Sequence, residues 1–335
     1  MNKVLVIRLS AMGDIVLATP FLRMFKNTFP EYSVDFLIKE KYTDILRYNK
    51  NIHTILTLKV DNFWELITEI RQRKYDMVID LQMSIRSWSI SVLSGNYRRK
   101  TYGTRRFKRF MLINFNKDIY HGIKPVPLRF LEAVEDLGVR DDGRGADFPF
   151  SRHEQRKVKD RLIDDGIKNT KSLIVLAPGA GRETKKWPVE KYVELSKFFI
   201  ESGYNVVTIG DKNDFWICDK IIKKSDGARN YAGELTLQHV ASLLSLAQLL
   251  ITNDTGVMHI GTAVCKNVIA IFGPTTEVLG FFPFRGNARV IEKNINCRPC
   301  SYHGTHTCPQ KHFKCMRDIS VEEVIEETKI ILKRY

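Results

Sequence analysis

The sequence predicts an α/β protein of two domains, residues 1–150 and 151–335, each a parallel sheet with helices packed on its faces. Three observations predict it. The chain has 335 residues, the length of two ordinary domains of about 150 residues each. Strand-length apolar runs alternate with helix-length amphipathic segments from the first residues onward, the order that produces parallel sheets. The alternation then restarts after a stretch rich in breakers, 138–151, which holds Gly138, Gly143, Gly145 and Pro149 and marks the domain boundary.

In the first half the expected strands are 4–9, 34–38, 54–58 and 77–81, with helices at 15–29 and 63–73. The runs Val4-Leu5-Val6-Ile7 and Met77-Val78-Ile79-Asp80-Leu81 are nearly unbroken apolar stretches, as strands covered on both faces require. In the second half strands are expected at 172–177, 205–209, 249–252 and 268–272. Helices are expected at 152–161, 189–202, 237–246, 257–265 and 321–332. Two such Rossmann-like sheets facing each other place a ligand cleft at the carboxyl ends of their strands. With 44% hydrophobic and 27% charged residues and 20 glycines, the composition excludes disordered, collagenous and disulfide-scaffold classes. No run reaches the roughly 18 apolar residues of a membrane span. The first residues read as a strand rather than a secretory signal, so a cytoplasmic location is expected.

The net charge is +15, which points to anionic partners and says nothing about fold. The excess concentrates in 98–109. Arg98, Arg99, Lys100, Arg105, Arg106, Lys108 and Arg109 occur there without an acid, interleaved with Tyr97, Tyr102, Phe107 and Phe110. No nucleic-acid module accompanies them. A basic-aromatic loop suits a phosphorylated or membrane-embedded partner.

Three turns carry the chemistry. The first, Arg8-Leu9-Ser10-Ala11-Met12-Gly13-Asp14, lacks the three glycines of a dinucleotide fingerprint. Gly13 permits a tight turn. Asp14 either caps the following helix, worth about 1 kcal/mol, or stands at the cleft as a base toward a hydroxyl; the two roles are compatible. The second turn is Pro178-Gly179-Ala180-Gly181-Arg182-Glu183-Thr184-Lys185-Lys186-Trp187-Pro188. It joins a strand end, a glycine-rich loop and three cations, and suits a diphosphate; otherwise it is a solvated surface loop. The third, Asn253-Asp254-Thr255-Gly256-Val257-Met258-His259, runs from a buried strand into a helix whose N-terminus, carrying about half a positive charge, is a ready anion site. A lone histidine is by default a core residue. His259, one turn past the anion loop, reads instead as part of that site.

Cys218 and Cys265 fall in predicted helices and read as small apolar residues. The other four form Cys297-x2-Cys300-x7-Cys308-x6-Cys315. Disulfides are not expected in the cytoplasm, and this set suits a structural zinc or iron; the other reading is four reduced thiols.

Together, in this order and spacing, these turns resemble the ADP-heptose:lipopolysaccharide heptosyltransferases, glycosyltransferase family nine. The segments that carry the resemblance are Val-Ile-Arg-Leu-Ser-Ala-Met-Gly-Asp-Ile-Val-Leu-Ala-Thr-Pro, Pro-Gly-Ala-Gly…Lys-Lys-Trp-Pro, Asn-Asp-Thr-Gly-Val-Met-His and Ile-Phe-Gly-Pro-Thr. The resemblance implies a GT-B fold with an N-terminal acceptor domain and a C-terminal nucleotide-sugar domain. It implies inverting transfer of a heptose from an ADP-heptose donor, with Asp14 as general base. Lys185, Asp254, Thr255 and Gly256 then hold the diphosphate, His259 supports them, and Gly13 counts with the donor residues. No metal is implied for the transfer. The implied acceptor is a phosphorylated glycolipid at the cytoplasmic face of the inner membrane, docked by Arg98, Arg105, Arg106 and Arg109. Relatives that modify proteins carry a four-cysteine iron site, so a protein acceptor is the alternative. The remaining alternative is a nucleic-acid binder with a metal knuckle, although no nucleic-acid partner is expected. These motifs leave the acceptor's identity and the oligomeric state open.

Overall fold

A computed structural model describes residues 2–59, 61–95 and 98–333. The chain divides into two compact units. The first is Met1–Arg105 with Lys124–Pro149, and the second is Arg106–Ile123 with Phe150–Tyr335. The sequence assigns all of 1–150 to one domain, whereas residues 106–123 pack with the second unit. The reason is apolar: Leu112 and Tyr120 bury against Leu279, with Phe281 and Tyr302 beside them.

Among the described residues the first unit holds five strands, β1 (Lys3–Ile7), β2 (Ser33–Lys39), β3 (Thr54–Leu58), β4 (Met77–Asp80) and β5 (Arg98–Thr101). They lie in the order β3-β2-β1-β4-β5, all parallel. Central β1 is buried along four of its five residues, which is why its sequence shows no alternation. Leu5, Ile7, Leu37, Leu56 and Val78 pack there against Leu66, Ile67, Ile70 and Ile90 of the helices Phe63–Arg73 and Ile85–Leu93. Each such side chain, fully buried, contributes about 1.5–3 kcal/mol.

The helix expected at 15–29 is two, Met12–Leu17 and Thr19–Thr28. Pro20 sits in the first turn of the second helix, and without an N–H it cannot continue the ladder of the first. Strand β5 is the other departure. The basic stretch expected as a loop begins with an edge strand, its register pairing Met77 with Arg98 and Asp80 with Thr101.

The second unit carries β6 (Leu173–Ala177), β7 (Asn205–Thr208), β8 (Arg229–Asn230), β9 (Leu249–Asn253), β10 (Val268–Phe272) and β11 (Ala288–Glu292). Among the described residues their order is β11-β10-β9-β6-β7-β8. Strands β6, β9 and β10 are buried at every residue. Ile174, Leu176, Ile251 and Ile271 form a core with Trp187, Tyr192, Phe199 and Val324. The registers align Ala177 with Thr252 and Asn253 with Ile271, so the turns after β6, β9 and β10 emerge side by side.

Candidate functional site

In the first unit β1 delivers the chain to Arg8. Gln82, just past β4, accepts hydrogen bonds from Leu9 N (3.0 Å) and Ser10 N (3.1 Å). Buried Asp80 in turn fixes that loop, accepting from Gln82 N, Met83 N and the Ser87 hydroxyl. Asp14 is the third residue of its helix; Ala11, not Asp14, is the N-cap. One carboxylate oxygen of Asp14 accepts from Ala11 N at 3.2 Å, and the other pairs with Arg8 NH2 at 2.6 Å. The Arg8 guanidinium also donates to Leu81 O and lies 5.5 Å from the Phe130 ring. Tyr102 completes the group. Its phenol is pushed up by burial, with Arg8 and Asp14 as its charged neighbours, and its ring meets Phe130 edge-on at 5.2 Å. Gly13 lies beside Asp14 in this unit, apart in sequence and unit from the other residues expected to bind the donor.

In the second unit Asn253, at the end of β9, joins three segments. Its amide donates to Pro178 O at 2.8 Å and its oxygen accepts from Trp187 N and the Tyr192 hydroxyl. This fixes the loop after β6. Lys185 then reaches Asp254 at 2.6 Å, with side-chain exposures of only 15% and 7%. Thr275, in the turn after β10, donates its hydroxyl to the same Asp254 oxygen at 2.7 Å. Thr255 caps the helix Gly256–Val264, whose first N–H groups have no partner within the helix. His259 is buried on its first turn, 4% exposed. The structure therefore gathers Lys185, Asp254, Thr255, Gly256 and His259 around one helix terminus.

The other two cations of the glycine-rich loop go elsewhere. Arg182 donates to His306 at 2.7 Å, and Lys186 pairs with Glu183 at 2.6 Å beside the Trp216 ring. A carboxylate not anticipated from the sequence, Asp214, stands against this loop. A Cβ on Gly179 would fall 2.2 Å from its carboxyl carbon, so any side chain there would have to displace the carboxylate. Burial pushes the Asp214 carboxyl above the usual carboxylate range.

The basic stretch 98–109 does not stay together. Arg98 and Lys100 on β5 both pair with Asp136, and Arg105 pairs with Glu132 at 2.7 Å. These acids lie some thirty residues downstream, outside the window in which the stretch reads as acid-free. A groove of about 620 Å³ beside β5 is lined by Glu132, Glu135 and Asp136 as well as Arg99 and Lys100, a mixed surface that suits a phosphate poorly. Arg106 and Arg109 belong to the second unit, on the helix Arg106–Phe115. Arg109 lies 3.9 Å from the Tyr302 ring centroid. On that helix Phe107, Phe110 and Phe115 are 68%, 53% and 63% exposed. Tyr97 lies outside the described residues.

The expected zinc or iron site at Cys297, Cys300, Cys308 and Cys315 is not supported. All four are free thiols, and among the described residues no group of three His, Cys, Asp or Glu is arranged to hold an ion. Cys315 packs into the apolar core of the second unit. Burial, with the neighbouring cysteines adding to it, pushes its thiol up to about 11. Cys297 lies 3.8 Å from His312 Nε2. These donors do not fit a metal, and no step of the chemistry is derived through one.

The family model for glycosyltransferase family 9 (heptosyltransferase) matches residues 63–311. The chain belongs to that family. This glycosyltransferase is 26% identical to lipooligosaccharide heptosyltransferase 2 of Campylobacter jejuni over 325 residues, 95% of each chain. Its fold is that of the family 9 glycosyl transferase of Veillonella parvula (TM-score 0.85, 21% identity, 100% and 98% of the two chains). It is equally that of the Escherichia coli ADP-heptose lps heptosyltransferase II (TM-score 0.78, 23% identity, 99% of each). The GT-B expectation thus holds, and family membership leaves the nucleic-acid reading without support. Arg8, Tyr102 and Asp214 are the site residues that sequence reading passed over. A cation at the carboxyl end of the first strand was the available signal for Arg8.

Proposed function

We propose that this glycosyltransferase moves a heptose from ADP-heptose to the inner core of a lipopolysaccharide acceptor, with inversion at the anomeric carbon. The observation that carries the reading is the Lys185–Asp254–Thr275 group beside the helix terminus at Thr255 and Gly256. It sets an ammonium beside helix N–H groups that have no partner within the helix, the donors a diphosphate leaving group requires. His259 is buried near the start of that helix.

The acceptor hydroxyl oxygen attacks the anomeric carbon as the bond from that carbon to the diphosphate oxygen breaks. Its proton passes to Asp14, whose carboxylate Arg8 and the Ala11 N–H hold in place. Charge grows on the departing ADP, where Lys185 and the helix N–H groups stabilise it. Removing one such preorganised donor costs on the order of 3 kcal/mol in the barrier.

The acceptor side of the proposal is the cytoplasmic face of the inner membrane. The exposed phenylalanines of Arg106–Phe115, with Arg106 and Lys108 among them, form a basic amphipathic surface of the interfacial kind,. Arg106 and Arg109 supply charge on this helix, Arg109 lying over the Tyr302 ring, while Arg98 and Arg105 belong to the other unit and pair with Asp136 and Glu132. Among the described residues no helix is long and apolar enough to cross a membrane. ADP release from ADP-heptose, measured with heptose-deficient lipopolysaccharide, tests the function. Release that requires this acceptor supports it; release unaffected by the acceptor contradicts it.

A further inference from the structure

The segment 297–315, with its four cysteines, has no part in the transfer described above, yet it grips both walls of the donor site. One grip is on the Lys185 segment. Thr184 N and the Thr184 hydroxyl donate to Thr305 O at 3.2 and 3.0 Å, and Thr305 N donates back to that hydroxyl at 2.8 Å. Next to it a Cβ on Gly304 would stand 3.0 Å from both Arg182 Cβ and Lys185 Cγ. The loop backbone therefore lies directly against the stem of Lys185. The other grip is on the turn after β10. Arg298, its side chain 5% exposed, donates to Gly273 O and to Thr275 O (2.7 Å). Cys300 N donates to Pro274 O. Lys185 and Thr275, one from each wall, converge on Asp254.

We infer that this loop is a clamp on the donor site, and that Arg298 and Thr184 are positioning residues that set where Lys185 and Thr275 meet Asp254. The inference rests on the assignment of that group to the diphosphate. A planar guanidinium presents its donors in a rigid fork and so fixes the two carbonyls relative to each other, whereas a lysine ammonium on its flexible stem holds them less strictly. By linkage the coupling runs both ways: if the clamped loop raises donor affinity, a bound donor must stabilise the loop by the same factor.

Three proteins, Arg298→Lys, Thr184→Val and Lys185→Ala, are compared with the parent by ADP titration and steady-state kinetics at a temperature where all are folded. Thr184→Val keeps the shape and removes only the hydroxyl's bonds to Thr305. Arg298→Lys and Thr184→Val should each raise the ADP Kd and the donor KM fivefold or more, with the acceptor KM within twofold. A purely structural role would lower Tm and active fraction without that split. If Lys185→Ala weakens ADP binding while neither loop variant does, the clamp is overturned and the donor site stands. If Lys185→Ala leaves ADP binding unchanged, the donor-site assignment falls and the clamp with it. A second readout needs no variant. Saturating ADP should slow maleimide labelling of Cys297, Cys300 and Cys308 severalfold, read by mass spectrometry; equal rates with and without ADP overturn the coupling.

Discussion

Asp14 has two oxygens and two ground-state partners, Arg8 and the Ala11 N–H, which leave lone pairs for a substrate hydroxyl. Asp14→Asn keeps the shape and the cap contact but cannot take the proton. Turnover should fall at least a hundredfold, with ADP affinity within twofold by calorimetry. A variant that turns over normally but melts earlier would reduce Asp14 to a helix-terminal residue. Lys185 needs a subtler test, because Lys185→Ala strands the buried Asp254 carboxylate, a situation that destabilises by itself. The double variant Lys185→Ala/Asp254→Asn should recover Tm relative to the single variant, while ADP binding stays at least tenfold weakened in both. Recovery of ADP affinity in the double variant would show that Lys185 only neutralises Asp254. Asp214 gives a pH signature. Its folded carboxyl titrates above the unfolded value because of burial, so the ionised form is the less stable one in the folded chain. Asp214→Asn should therefore raise Tm at neutral pH, and the gain should shrink as pH falls through that raised value. A gain independent of pH would contradict the assignment. Asp14, Lys185 and Asp254 were legible as candidates because each lies past the carboxyl end of a strand, where the chain passes into a helix. Arg8's link to Tyr102, and Asp214's approach to Gly179, join residues distant in sequence, and no local pattern encodes such a meeting.

At the scale of elements, buried strands were read nearly to the residue. Strands β1, β4, β6, β9 and β10 carry continuous apolar runs that only a two-faced sheet explains. Edge strand β5, Arg-Arg-Lys-Thr, has exposed side chains and draws its ladder from β4 alone, so it left no apolar signal. The helix Arg106–Phe115 was hidden for a related reason: only Leu112 is buried along it. Its exposed phenylalanines define the fourth prediction. Replacing Phe107, Phe110 and Phe115 by Ser should weaken binding to anionic vesicles at least tenfold in a sedimentation assay and raise the lipid-acceptor KM. The ADP Kd should be unchanged, since these three exposed side chains lie on a helix separate from the Lys185–Asp254–Thr275 group. Vesicle binding that survives the triple change would remove this helix as the membrane contact.

At the scale of the molecule, the proposed chemistry divides between the two units: the proposed base Asp14 on the first, the proposed diphosphate site at Lys185 and Gly256 on the second. The net charge of +15 fits a protein whose proposed donor, acceptor and membrane surface are all anionic. Family membership follows from a match spanning residues 63–311, which includes the turns after β6, β9 and β10 but not the Arg8–Asp14 turn after β1. The heptose transfer itself is the central claim, and product analysis reaches it most directly. Heptose-deficient lipopolysaccharide incubated with ADP-heptose and this protein should gain a single heptose by mass spectrometry. Nuclear magnetic resonance should show the anomeric configuration inverted relative to the donor, and Asp14→Asn should yield no product. A product of retained configuration, or no heptose gained by the parent protein, would contradict the account.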